Sequence, residues 1–149
     1  MALNRDFVGR TYPPGAPYEV SRVKIREFAA AIGDSNPVYR DKEAAQAAGY
    51  PDVIAPPTFP ILFSLQSGGG ALVDPDLGLN LAMVVHGEQR FEYARPIYAG
   101  DQLVTTATIT DIRTAGRNEL LTVRSDVTTV EGEPVCVTYN TIVERGGAG

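Results

Sequence analysis

Two periodicities divide the chain, helical spacing of apolar residues in the first half and strict alternation in the second. Residues 22–32, RVKIREFAAAI, place Ile25, Phe28, Ala29 and Ile32 at the i, i+3, i+4, i+7 positions of one helical face. Ser21 can cap the start of this helix, and Gly33 can stop it in the left-handed conformation. Pro37 disfavours helical geometry at Asn36, so Asp34 to Tyr39 should turn, and Asp41 then opens a short Ala-rich helix ended by Gly49. In APPTFPILFSLQSGGG, Pro56 and Pro57 suit a helix entrance, Thr58 can cap it, and Pro60 is tolerable only in the first turn. Phe59, Ile61, Leu62, Phe63 and Leu65 are apolar nearly all round, which predicts a long buried helix terminated by Gly68 to Gly70.

From Val85 onward the period becomes two. Val85, Gly87, Gln89, Phe91 and Tyr93 alternate, as do Leu103 to Ile109, Leu121 to Val127 and Val135 to Val143, which predicts four strands. Turns are expected at Ala115-Gly116-Arg117-Asn118 and Glu131-Gly132-Glu133. The fold class is therefore α+β, an antiparallel sheet with one helix packed across its face. Residues 1–149 read as one domain, with residues 146–149 expected to fray.

Composition narrows the function. With 149 residues, a hydrophobic fraction of 44% and 21% charged residues, the chain reads as an ordinary soluble globular protein. The N-terminus, MALNRDFVGR, shows no targeting pattern, so a cytoplasmic location is expected, and no run is long enough for a membrane span. One Cys and one His argue against a metal site, and the lone Cys136 cannot form an intrachain disulfide. A net charge of -5 with no basic cluster argues against nucleic acid.

The candidate chemistry lies in a few places. Asp34 could act as a general base and Asn36 could orient a polar substrate atom, although both are also standard turn residues. His86 is the only side chain whose unperturbed pKa lies near neutrality. Alternation puts it with Glu88, Arg90 and Glu92 on the solvated face, opposite Phe91 and Tyr93, unless a bulge at Gly87 reverses the facing. The substrate-binding candidates are Tyr39 in the turn, Ala55, Pro57, Thr58, Phe59 and Phe63 around the helix entrance, and Gln89 on the strand beyond. SGGG lacks phosphate-loop spacing, and Ser64 is not in a GxSxG elbow.

The order of GDSNPVY, an Ala-rich helix, VIAPPTF and RPIYAGDQL before long strands resembles the MaoC-like hot-dog dehydratases and (R)-specific enoyl-CoA hydratases. Their signature G-D-x-N-P-aliphatic-H is matched by Gly33 to Val38, with Tyr39 in the histidine slot, and their I-A-H-G entrance reads Ile54, Ala55, Pro56, Pro57. Both departures make the chain look most like the N-terminal, FAS1-like subgroup, which includes the acyl-chain-binding subunit of heterodimeric (3R)-hydroxyacyl-ACP dehydratases. The resemblance implies a single hot-dog fold, a sheet wrapped round a long central helix. It implies an acyl thioester on CoA or carrier protein as substrate, no cofactor, and a homodimer or a heterodimer with a catalytic MaoC-like subunit. Alternatives are a self-sufficient homodimeric hydratase in which Asp34 works with His86 or water, a non-catalytic acyl-thioester binding module, and a hot-dog thioesterase.

Overall fold

The first helix forms where its apolar spacing predicts. In the computed structural model, which describes residues 2–67 and 69–149 with side chains for all of these except 65–67 and 69, α1 spans Arg22–Ala31. The Ser21 hydroxyl accepts from the Lys24 N–H at 3.1 Å, and Ile25 and Ala29 are fully buried. At its end Gly33 takes φ +72°, the Gly33 N–H donates to the Ala30 carbonyl at 3.1 Å, and the Asp34 N–H donates to that of Ala29 at 2.9 Å. That pair of bonds is a Schellman stop, and the residue delivered by it is Asp34. Helix α2, Lys42–Ala47, repeats the arrangement: Asp41 caps it, Gly49 sits at φ +94°, and the Tyr50 N–H donates to the Ala45 carbonyl at 3.0 Å.

The expected long central helix is shorter than the pattern suggests. Residues 57–60 form turns, and α3 covers Ile61–Ser67. Pro60 has no N–H to extend a helix upstream and disfavours helical geometry at Phe59, so the apolar run begins before the helix does. A further short helix, α4, spans Gly69–Leu72, so Gly69 and Gly70 lie inside helix rather than ending one; Gly68 lies outside the described residues.

Six strands make one antiparallel sheet. Strands β1 (Thr11–Tyr12) and β2 (Tyr18–Glu19) are each too short for alternation to be read, and both pair with β4 (Gln102–Ala115). The long strands are β3 (Val84–Tyr93), β4, β5 (Asn118–Thr129) and β6 (Pro134–Glu144), in the order β1-β4-β5-β6-β3. On β5 every second residue, from Glu119 through Leu121, Val123, Ser125 and Val127 to Thr129, is buried, which identifies the face carrying the core. Phe59 is fully buried in that core, met by the rings of Phe28 at 5.5 Å and of Tyr18 and Phe63 at 6.3 Å. At the N-terminus, Arg5 pairs with the buried Glu119 carboxylate at 2.8 Å. At the C-terminus, residues 146–149 return to the β4–β5 turn, where the Gly146 N–H donates to Asn118 at 3.1 Å and the Ala148 N–H to the Arg117 carbonyl at 3.2 Å. Among the described residues no helix is long and apolar enough to cross a membrane.

Strand β3 occupies one edge of the sheet and carries a bulge. Its register against β6 shifts between His86 and Glu88, so Gly87 is the extra residue. His86 opposes Ile142, Gln89 opposes Asn140, Phe91 opposes Thr138 and Tyr93 opposes Cys136, and all four β6 partners are buried. Residues directly opposite share a face, so His86 stands on the inner side with Gln89, Phe91 and Tyr93, not with Glu88, Arg90 and Glu92 as unbroken alternation would have it. Only glycine fits at the bulge: a Cβ there would lie 2.8 Å from Val143 Cγ2 and 3.3 Å from the Thr141 carbonyl oxygen. Gly87→Ala should therefore lower stability by about 1–3 kcal/mol, read as a lower urea midpoint with unchanged m-value; an unchanged midpoint would show that the edge relaxes freely.

Candidate functional site

The two Schellman stops and the proline-rich entrance converge on one cleft of about 390 Å³. Its floor is the segment Val53–Ala55, held on one side by the Ile54 N–H donating to the Val38 carbonyl at 3.1 Å and on the other by the Ala55 N–H donating to that of Ile97 at 2.8 Å. Tyr39 and Tyr50 form one wall, and the end of β3 at Tyr93 with Ala94, Arg95 and Pro96 forms the other, with Pro57 at the rim. The Tyr93 hydroxyl donates to the Pro57 carbonyl at 2.6 Å, closing the strand end onto the helix entrance. Arg95 is held by a bidentate pair with Asp101 at 2.9 and 3.0 Å and by Glu133 at 2.7 Å, so its charge is neutralised before any ligand arrives.

The GDSNPVY turn sits directly behind this cleft. Asp34 Oδ1 accepts from the Asn36 N–H at 3.1 Å, and Asn36 Oδ1 accepts from the Val38 N–H at 3.2 Å, so both side chains fasten the turn that seats Tyr39. Tyr39 is buried, and its phenol pKa is raised above the ordinary tyrosine value, chiefly by burial, then by the Asp34 carboxylate and by Tyr50. The residue in the histidine slot therefore stays protonated at neutral pH and offers a hydrogen-bond donor, not a base. No carboxylate or imidazole lines the cleft among the described residues.

The other candidates divide around it. Ala55 and Pro57 line the cleft with Tyr39; Thr58 is exposed at the entrance; Phe59 is the core ring behind it. Phe63 lines a different cleft of about 400 Å³ with Tyr18, Leu103 and Thr105. His86 is exposed, with Nε2 3.1 Å from the Glu88 carbonyl oxygen across the bulge. Tyr93 lies seven positions further on, which at ~3.3 Å each is roughly 20 Å along the strand, and His86 does not line the Tyr39 cleft. Gln89 turns inward, and both polar atoms of its amide are buried with no hydrogen-bond partner among the described residues. Cys136, opposite Tyr93, is buried and its thiol is pushed up to about 12 by burial, which makes it a poor nucleophile. Among the described residues no group of His, Cys, Asp and Glu could hold a metal ion.

Tyr50 and Arg95 were not among the sequence candidates. Tyr50 carries no motif signal, since the stop at Gly49 places it but only the tertiary fold brings it to Tyr39. Arg95 was legible as part of RPIYAGD, though only as the end of a strand.

The sequence model of the FAS1-like, dehydratase domain region matches residues 6–138. The chain belongs to this FAS1-like dehydratase family. A UPF0336 protein of Saccharopolyspora erythraea is 55% identical to this family member over 148 residues, covering 99% of this chain and 95% of the relative. Among solved structures, the C-terminally truncated HadBC (3R-hydroxyacyl-ACP dehydratase) complex of Mycobacterium tuberculosis aligns with TM-score 0.83 at 29% identity, covering 95% of this chain and 99% of that one. A MaoC-like dehydratase aligns with TM-score 0.87 at 33% identity over 93% of this chain, which spans only 42% of that larger one. The fold is accordingly the hot-dog fold, with the short central helix described above.

The electrostatics of the turn can be read directly. Asp34→Asn keeps a side-chain oxygen for the turn but removes the charge, so the Tyr39 phenol should ionise at lower pH than in the wild type, while burial keeps it above free tyrosine. Titration of 13Cζ-labelled tyrosine by NMR checks this, and an unmoved Tyr39 curve would show that Asp34 does not act on it.

Proposed function

We propose that this chain is the acyl-binding subunit of an (R)-specific 3-hydroxyacyl-thioester dehydratase, running equally as an enoyl-thioester hydratase, and that it works with a second hot-dog chain carrying a GDxNPxH turn. The observation that carries the reading is the cleft itself, which has apolar walls and phenol donors but no group able to take a proton near pH 7. Eliminating water from a 3-hydroxyacyl thioester requires a base for the proton alpha to the carbonyl, an acid for the leaving hydroxyl, and donors for the enolate-like oxygen. This chain supplies a place for the acyl group and donors for an oxygen; the base and the acid come from the partner's Asp and His. The elimination changes no oxidation state overall, so no redox cofactor is needed. The HadBC complex, named as a 3R-hydroxyacyl-ACP dehydratase, supports a dehydratase that works with a hot-dog partner subunit.

The open edge of β3 is where the partner docks. The Ala94 N–H donates to the Val135 carbonyl at 2.8 Å, which fixes the phase of the antiparallel ladder and turns the N–H and C=O groups of Gln89, Phe91 and Tyr93 outward. Unpaired edges of this length invite another strand. Leu81, Met83, Val85 and Tyr93 are the exposed large apolar side chains on or leading into this strand, and they give the edge an apolar rim.

The test is hydration of crotonyl-CoA by the purified chain alone and after mixing with a GDxNPxH-type hot-dog protein. Alone, turnover should stay close to the no-enzyme rate; the mixture should exceed the sum of its two components by at least about tenfold, the scale of effect expected when a missing acid–base pair is restored. High turnover by the isolated chain, abolished by Asp34→Ala, would replace this reading with a self-sufficient hydratase.

A further inference from the structure

A thioester carbonyl needs hydrogen-bond donors, and the cleft offers very few. At the helix entrance Pro56, Pro57 and Pro60 have no N–H, and the N–H groups of Phe59, Ile61, Leu62 and Phe63 all donate to carbonyls three residues back in the same turns; Thr58 keeps its N–H but does not line the cleft. On the walls, the N–H groups of Tyr39, Tyr50, Ile54, Ala55, Ala94 and Arg95 are likewise all used within the chain. The Tyr93 N–H points along the open strand edge, its hydroxyl is taken by Pro57, and the Arg95 guanidinium is engaged by Asp101, Glu133 and the Pro96 carbonyl. Two donors remain. The hydroxyls of Tyr39 and Tyr50 line the same cleft, interact with one another electrostatically, and make no hydrogen bond within the described residues.

We propose that the Tyr39 and Tyr50 hydroxyls form a paired donor site for the carbonyl oxygen of an acyl thioester, in a cleft where Pro57 at the helix entrance offers no N–H. The inference rests on the acyl-thioester reading above and adds to it the residues that recognise the thioester as opposed to the alkyl chain. The Tyr39 phenol, held above the ordinary tyrosine range by burial, stays neutral and polarises the carbonyl without adding charge. The two hydroxyls come from different helix-terminal segments, Tyr39 behind the Asp34 turn and Tyr50 behind the Gly49 stop, so their separation is set by backbone and not by a flexible linker.

The experiment compares octanoyl-CoA with S-octyl-CoA, the thioether that keeps every atom class except the carbonyl oxygen, by calorimetric titration of the full chain. The wild type should bind the thioester about five- to tenfold more tightly than the thioether, the range one to two neutral hydrogen bonds supply. Tyr39→Phe and Tyr50→Phe should each reduce that preference, and the double variant should bring it to parity, with affinity for S-octyl-CoA unchanged in all three. Unchanged thioether affinity also shows that the variants remain folded. Equal binding of the two ligands by the wild type, or a preference that survives the double variant, overturns the phenol pair while leaving acyl binding intact. Loss of preference in one single variant and not the other overturns the pairing. Binding of neither ligand overturns the acyl-thioester reading itself, and the phenol site with it.

Discussion

Gly33 and Gly49 both take the left-handed conformation, and at both places two N–H groups turn back onto the carbonyls of the helix just finished. These stops satisfy orphan helix-end carbonyls that would otherwise need water or a cap. They also decide where the chain goes next. The residue after Gly33 is Asp34, whose carboxylate holds the turn that buries Tyr39, and the residue after Gly49 is Tyr50, which faces Tyr39 across the cleft wall. A side chain with a Cβ at either glycine would strain the backbone by about 1–2 kcal/mol and move the site residues that follow. The geometry of the cleft is thus an outcome of how two short helices end.

The second constraint is the run of prolines. Pro56 to Pro60 deliver a fully buried Phe59 into the core but remove the N–H groups that make a helix start attractive to an oxyanion. Starting α3 at Ile61 also shortens the helix to a length at which its dipole contributes little. A hot-dog chain built this way keeps an apolar cleft beside a helix entrance whose proline positions offer no N–H donors. Substituting tyrosine for histidine in the preceding turn works in the same direction, because burial beside Asp34 raises the phenol and keeps it a donor.

Much of this was legible in the sequence because it depends on local chemistry. Ser21, Gly33, Asp41 and Gly49 act where they were read to act, since caps and stops are satisfied by neighbours within five residues. The four long strands follow their alternation. What alternation could not carry was the facing of His86: a single inserted glycine reverses every side chain on one side of it, and the steric reason for that glycine lies on β6, some 55 residues away. Tyr50 was illegible for a related reason. Its meaning comes from Tyr39, and nothing in the eleven-residue separation says that the α2 stop folds back upon the GDSNPVY turn.

The inner face near the sheet edge has a different character from the cleft. Gln89, Asn140, Thr138 and Ser125 all carry buried side-chain polar atoms with no hydrogen-bond partner among the described residues, and they lie on adjacent β3, β6 and β5 positions. Each such atom costs about 1–3 kcal/mol relative to a paired one, and an apolar residue of similar shape would avoid the penalty. A sheet face that had only to pack a helix would have little reason to keep four of them together. They run inward from the edge strand β3 through β6 to β5, and Ser125, Thr138 and Asn140 are already buried within this chain, so the unsatisfied polarity belongs to the inner face of the sheet and not to its exposed edge.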